Sequence, residues 1–184
     1  MDSAASTLGS GRSPDMIRDV IRYGDERLLA ENVEADALAA DFTALLGDMI
    51  ETCHAAPGIG LAAPQIAVPL RVIIVDLSVG EEPGQLIKLI NPEFVLRQGE
   101  QRHDEGCLSV PGFGGSPVRP ARVVVKGLDP DGKERTYEGT ELLARAFCHE
   151  IDHLNGVLFL QHLSMLKRDL IKRKIKKLRK EGEW

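Results

Sequence analysis

Cysteine is sparse in this chain. Cys53, Cys107 and Cys148 are too few, and odd in number, for a disulfide framework, which points to thiol chemistry in a reducing compartment and to the cytoplasm as the expected location. Long apolar runs are missing too: none approaches the roughly 18 residues of a membrane span. The opening Met1 to Ser13 is rich in Ser, Gly and Ala and lacks the apolar core of a secretory signal. No repeat or long low-complexity linker is visible. The formal charge of -5 argues against a general nucleic-acid binder, so no DNA partner is expected.

What is present suits one globular domain. The 184 residues are 43% hydrophobic and 28% charged, enough for a substantial core. Residues 1–14 read as a flexible tail, 15–164 as a single catalytic domain and 165–184 as a basic C-terminal helix. The charge is uneven, because residues 167–180 carry nine Lys and Arg against the single Asp169.

From Ala35 to His54 the apolar residues Leu38, Phe42, Leu45, Leu46, Met49 and Ile50 follow helical spacing, with Asp36 near the start and Pro57-Gly58 as the stop. Val72 to Val75 is a β-branched run suited to a buried strand. Further strands are expected at Leu86–Ile90, Glu93–Gln98, Cys107–Val110, Val123–Leu128 and Glu134–Glu138. The last two are joined by the turn signal Asp129-Pro130-Asp131-Gly132. Thr140 to Leu154 reads as a helix capped by Thr140 and stopped near Asn155-Gly156. A final amphipathic helix runs from Ser164 to Lys180, with Leu163, Leu166, Leu170, Ile175 and Leu178 on its apolar side. Successive strands without intervening helices cannot make repeated parallel crossovers. The fold class is therefore α+β: small, mostly antiparallel sheets packed around a central motif helix, with a long N-terminal helix and a C-terminal amphipathic helix.

The chemistry concentrates in His149-Glu150-Ile151-Asp152-His153. Residues four apart on a helix face the same way, so the two imidazoles can share one metal ion, with Glu150 close enough to exchange protons with a water. A catalytic site needs a third ligand and an open position. Cys107 is the best candidate, since Gly106 beside it permits close backbone approach. Cys53 lies at a helix end, and Cys148 points about 100 degrees away from His149. His54, His103 and His162 have no partner at ligand spacing and read as surface or hydrogen-bonded side chains. Asp152 reads as a helix-surface group or a support behind the ligands.

Three segments together resemble those of the peptide deformylases, which remove the formyl group from new bacterial polypeptides. They are Gly58-Ile59-Gly60-Leu61-Ala62-Ala63-Pro64-Gln65, Glu105-Gly106-Cys107-Leu108-Ser109 and the histidine pentapeptide, in the family's order. The resemblance implies that Cys107, His149 and His153 bind the metal and Glu150 is the acid/base. It also implies that the Gln65 side-chain amide and the Leu108 backbone N–H donate to the oxyanion. Gly58, Ile59, Gly60 and Gly106 would present backbone to the peptide. Leu142, Ala146 and His149 recur at four and three residues, an apolar strip that with Ile59 could accept the methionine side chain the family prefers. Glu105 and Arg119 match two charged positions of the family and are expected to form a salt bridge. Gly24 departs from the family, where a proline is usual, and so does Pro117, where the residue is usually aliphatic.

Ligand chemistry alone favours zinc, whereas the resemblance implies ferrous iron, Fe2+, with Zn2+, Ni2+ or Co2+ able to occupy the same site. The expected substrates are formyl-methionyl nascent peptides. Because deformylases act on emerging chains, the basic residues 167–180 would meet ribosomal RNA near the exit tunnel. The scarcity of aromatics before Trp184 counts against a membrane surface. Two other readings remain: an HExxH endopeptidase, which generally uses His or Glu as third ligand, and a metal-stapled binding module, which needs a fourth protein ligand and has no use for Glu150.

Overall fold

A computed structural model describes residues 16–36 and 42–184; the expected tail 1–14 and Leu38 lie outside the described residues. Helix α1 spans Thr43–Ala55. It is followed by β1 (Gly60–Ala62), a 3-10 turn (Ala63–Ile66), β2 (Val72–Val75) and β3 (Ile87–Gln98). Then come four two-residue strands, β4 (Gln101–Arg102), β5 (Glu105–Gly106), β6 (Gly114–Gly115) and β7 (Val118–Arg119). The chain closes with β8 (Arg122–Leu128), β9 (Glu134–Thr140), α2 (Glu141–Leu154) and α3 (Met165–Glu181). The main sheet has the order β1-β2-β3-β8-β9 and every pairing is antiparallel, with β4–β7 and β5–β6 as separate ribbons. The α+β architecture read from the sequence is the one observed.

The β-branched run at β2 has a simple cause. Side chains alternate across a strand: Val72 and Ile74 join the cluster of Leu46, Met49 and Cys53 from α1, while Ile73 and Val75 join Phe147, Ile151 and Leu154 from α2. Sandwiched between two helices, all four are 0% exposed, so the strand has no polar face to reveal. Helix α2 is buried on nearly every side. Phe147, Cys148 and Ile151 face the sheet, and His149, Glu150 and His153 are buried as well. A third cluster, of Val110, Leu158, Phe159, Leu160 and Leu163, seats α3 through Ile171 and Ile175.

Four expectations change. The first helix begins at Thr43, since Ala35 and Asp36 lie in extended chain. Ala35 is held there by Asn91, whose amide accepts from Ala35 N and donates to Ala35 O, both at 2.8 Å. The strands expected on either side of Asn91-Pro92 are one strand, β3, with a bulge between Ile90 and Glu93. Asn91 has φ of 50° and Pro92 has no N–H, so the ladder is interrupted while the chain direction continues. Thr140 makes no side-chain cap, because β9 runs straight to it and the chain turns into α2 at Glu141, with φ of 48°. On α3 the docking stripe is Ile171 and Ile175, one turn apart, whereas Leu166 and Leu170 are exposed on the neighbouring stripe. The stop of α2 at Asn155-Gly156 is as read, with Gly156 at φ of 68° and its Cα too close to Leu29 O for a Cβ.

Asn91→Ala removes both bonds to Ala35 and leaves a residue with no polar side chain in the left-handed region. We expect it to lower the unfolding free energy by about 2 kcal/mol, read as a reduced urea midpoint at unchanged slope. An unchanged midpoint would mean that the Ala35 anchor contributes nothing.

Candidate functional site

The ligand candidates come from two elements. His149 and His153 project from one side of α2, and Cys107 sits where β5 leaves its ribbon. The expected strand Cys107–Val110 is instead a turn closed by Val110 N donating to Cys107 O at 2.9 Å. Pro111 and Gly112, at φ of 77°, prevent the extended course that the apolar residues suggested. The Cys107 Sγ lies 3.2 Å from His153 Nε2, which lies 3.2 Å from His149 Nε2. All three ligand atoms fall within 4.8 Å of one another. Two nitrogens about 2.0–2.1 Å from one tetrahedral ion would stand roughly 3.3 Å apart, so the donor set fits a divalent metal.

The two imidazoles differ in proton affinity. Burial opposes a charged His149, but the Cys107 sulfur and the Glu105 carboxylate beside it hold it well above the usual imidazole range. Burial and the neighbouring His149 and Arg119 push His153 well below. The two imidazoles, whose ring centres lie 4.9 Å apart, are thus pushed in opposite directions. Glu105 Oε1 accepts from His149 Nδ1 at 2.6 Å, which turns Nε2 toward Cys107 and His153. Glu105 also accepts from Arg119 at 2.6 and 3.0 Å, the expected salt bridge. Burial would raise the Glu105 carboxyl, yet its bonds to His149 and Arg119 bring it down to about 2.

Arg119 reaches onward to Asp152 at 2.6 Å, and Asp152 also accepts from His162 at 2.8 Å. Asp152 therefore supports the ligand set through Arg119, and His162 is a hydrogen-bonded group behind it. His54 is likewise bonded, to Asp76 at 2.9 Å. Cys148 packs toward the sheet, and Cys53, near the end of α1, packs against β1 and β2 with its thiol donating to Gly58 O at 3.1 Å. Neither cysteine approaches the ligand cluster.

Glu150 is wedged beside the cluster. It is 4% exposed, and a Cβ on Gly60 would stand 2.5 Å from its Oε1, so only glycine fits there. Its Oε2 is buried without a hydrogen-bond partner among the described residues. Burial, with Glu105 and Asp152 nearby, lifts its carboxyl from the ordinary 4.5 to about 7. Gln65 has a fixed orientation: its Oε1 accepts from Ala62 N at 2.9 Å, leaving the NH2 group toward Ser109 Oγ at 3.2 Å and Cys107 Sγ at 3.7 Å.

These groups open into a cleft of about 520 Å³. Gly58, Ile59, Gly60, Gly106, Leu108, Leu142 and Ala146 all line it, so every residue named for the substrate reaches the same space as Gln65, Cys107, His149 and Glu150. His153 lies behind them, 1% exposed. Sequence reasoning missed Phe113 on the cleft wall and Asn32, whose Nδ2 donates to the carbonyls of His153 and Leu154 at 3.3 and 3.1 Å. Asn32 is distant in sequence and gives no motif signal. Ser109, inside a quoted segment, was given no role, yet it receives Gln65 and its carbonyl accepts from Tyr23 N at 2.7 Å.

Comparison with known proteins agrees with this arrangement. The sequence profile of the polypeptide deformylases matches residues 17–169. A curated peptide deformylase of Acidobacterium capsulatum is 46% identical over 169 residues, covering 92% of this chain and 99% of the relative. One from Thermodesulfovibrio yellowstonii is 48% identical over 160 residues, covering 87% and 97%. The crystal structure of a peptide deformylase from Legionella pneumophila superimposes with a TM-score of 0.83 at 41% identity, over 90% of this chain and 97% of the other. With a family profile spanning most of its length and relatives matched nearly end to end, the chain belongs to the polypeptide deformylase family.

Proposed function

We propose the following division of labour for the metal-dependent hydrolysis of N-formyl groups from formyl-methionyl polypeptides. Cys107, His149 and His153 hold the ion, and Glu150 carries the proton. The observation that supports this most directly is the convergence of one sulfur and two Nε2 atoms beside a buried carboxylate. A bound divalent ion supplies the Lewis acidity that makes water nucleophilic near neutral pH. Glu150, lifted to about 7, accepts the proton of that water. The water oxygen bonds the formyl carbon as the C=O bond opens, and negative charge develops on the formyl oxygen, where the Gln65 amide and the Leu108 backbone N–H donate to it. Glu150 then returns the proton to the departing amine, the C–N bond breaks, and formate and a free N-terminus leave. The backbone of Gly58, Ile59, Gly60 and Gly106 aligns the extended peptide, and Leu142, Ala146 and Ile59 receive the methionine side chain.

The native ion in this reading is Fe2+, as the family resemblance implies. Zn2+, Ni2+ or Co2+ share its preference for imidazole and thiolate donors and can take its place. A third catalytic histidine or glutamate is not needed, because Cys107 fills that position, which separates this reading from an endopeptidase.

The Lys and Arg residues of 167–180, all exposed except the half-buried Arg168, form the basic side of α3, and the partner proposed for it is the ribosome. Among the described residues no helix is long and apolar enough to cross a membrane. The proposed location is the cytoplasm, where new chains emerge.

Anaerobically purified protein should release formate from formyl-methionyl peptides and leave acetyl-methionyl peptides intact. In Glu150→Gln, formate release should fall by about 10²- to 10⁴-fold at unchanged metal content; full activity in that variant would remove Glu150 from the mechanism. Its stability should move the other way. Because the folded carboxyl titrates near 7, above the ordinary 4.5, its stabilising contribution is present below 4.5 and lost as pH rises through 7. Metal-free Glu150→Gln should therefore melt higher than the parent at pH 8, with the gap closing toward pH 5.

Arg119→Ala takes the guanidinium away from the largely buried Glu105 side chain and the half-buried Asp152, at a cost of about 3–5 kcal/mol. Metal per protein after chelator challenge should drop, with Arg119→Lys intermediate; equal retention in all three proteins would end the bracing role. For the ribosome, K172Q/K176Q/K180Q should abolish co-sedimentation at low salt while turnover of short peptides persists. Undiminished binding would place the contact elsewhere.

A further inference from the structure

The turn that carries Phe113 into the cleft wall is Pro111-Gly112-Phe113-Gly114-Gly115. The ring stands between the left-handed Gly112 and strand β6, whose pairing with β5 holds the backbone, so side-chain contact is what orients the ring itself. Its brace comes from Trp184, beyond α3. The two rings lie 6.0 Å apart at 55°, a tilted pair. Trp184 is itself fixed at two further points: Nε1 donates to Tyr23 O at 3.1 Å, and the Arg22 guanidinium lies 6.0 Å from its ring centre.

Tyr23 is where this brace meets the ligand loop. Its carbonyl accepts from Trp184 and from the Arg179 guanidinium, and its N–H donates to Ser109 O at 2.7 Å, two residues from Cys107. Gly24 makes the arrangement possible. It has φ of 103°, closed to proline, and the space a Cβ would occupy holds the Arg179 guanidinium. The departure from the family's usual proline thus coincides with the seat of an arginine from α3.

We propose that Trp184, seated by Gly24 and Arg179, is a positioning residue for the substrate cleft, holding Phe113 where the bound peptide meets it. The proposal rests on the cleft being the peptide site. Its effect falls on peptide binding, because neither Trp184 nor Phe113 is among the ligand or proton-carrying groups.

Steady-state kinetics with formyl-Met-Ala-Ser tests this. Trp184→Ala should raise KM about five-fold, the size of a lost ring pair, at unchanged kcat and metal content, while Trp184→Phe restores KM. Phe113→Ala should raise KM as well, and the double variant should be no worse than Phe113→Ala alone. A silent Trp184→Ala beside an impaired Phe113→Ala overturns this proposal and leaves the cleft reading standing. An unaffected Phe113→Ala also overturns this proposal, whereas absence of formate release from the unsubstituted protein would overturn the cleft reading. Should Trp184→Ala fail to fold, the unsubstituted ring still reports, because Trp184 is the chain's single tryptophan. In metal-loaded Glu150→Gln, saturation with the same peptide should shift its emission; an unchanged spectrum overturns the brace.

Discussion

The carboxylate of Glu105 is the constraint on which the rest of the site depends. It is shared between His149 and Arg119, and so joins α2 to both short ribbons, through β5 and β7. An imidazole has two nitrogens and a free ring could present either; a fixed acceptor on Nδ1 leaves Nε2 facing Cys107 and His153. The same carboxylate stays charged because the guanidinium offsets its burial. Where water is excluded, each charge must be answered by another, and the buried Arg119 is answered by Glu105 on one side and Asp152 on the other.

Around that chain the fold supplies two kinds of support. The sheet and α1 enclose β2 and leave α2 little freedom to shift, since Phe147, Ile151 and Leu154 are locked among the strand residues. The carbonyl end of α2 is held by Asn32 and by Arg71, whose Nη1 donates to Leu154 O at 3.2 Å. Cationic and amide donors at a helix C-terminus satisfy carbonyls the helix cannot. His153, one residue earlier, inherits that rigidity. Glu150 is the contrary case. A carboxylate confined beneath Gly60 with one oxygen unpartnered lowers stability at neutral pH, and such a group holds its proton more tightly than an exposed one.

Much of this was legible in the sequence, and the reasons differ by element. The four-residue spacing of His149 and His153 survives because helix geometry is local. Val72 to Val75 announced burial because every position is apolar. Cys107 was placed among the ligands but in the wrong local structure: the apolar residues after it suggested a strand, and Pro111-Gly112 decided for a turn. The first helix was drawn too long, because apolar spacing continues past its start and nothing in the local pattern reveals that Asn91, far along the chain, holds Ala35 extended. Thr140 looked like a cap, yet a strand partner claimed its backbone. Asn32, Ser109 and Phe113 act through contacts between distant segments, and a single sequence carries no trace of such pairings.

The two margins of the main sheet are chemically unlike. β9 presents Glu134, Arg135 and Glu138 along an exposed strand, and formal charges there discourage a second molecule from zipping on. β1, at the other margin, is three residues long and borders the cleft. All three of its residues are buried and of them only Gly60 lines the cleft, so neither margin offers a second molecule an open ladder.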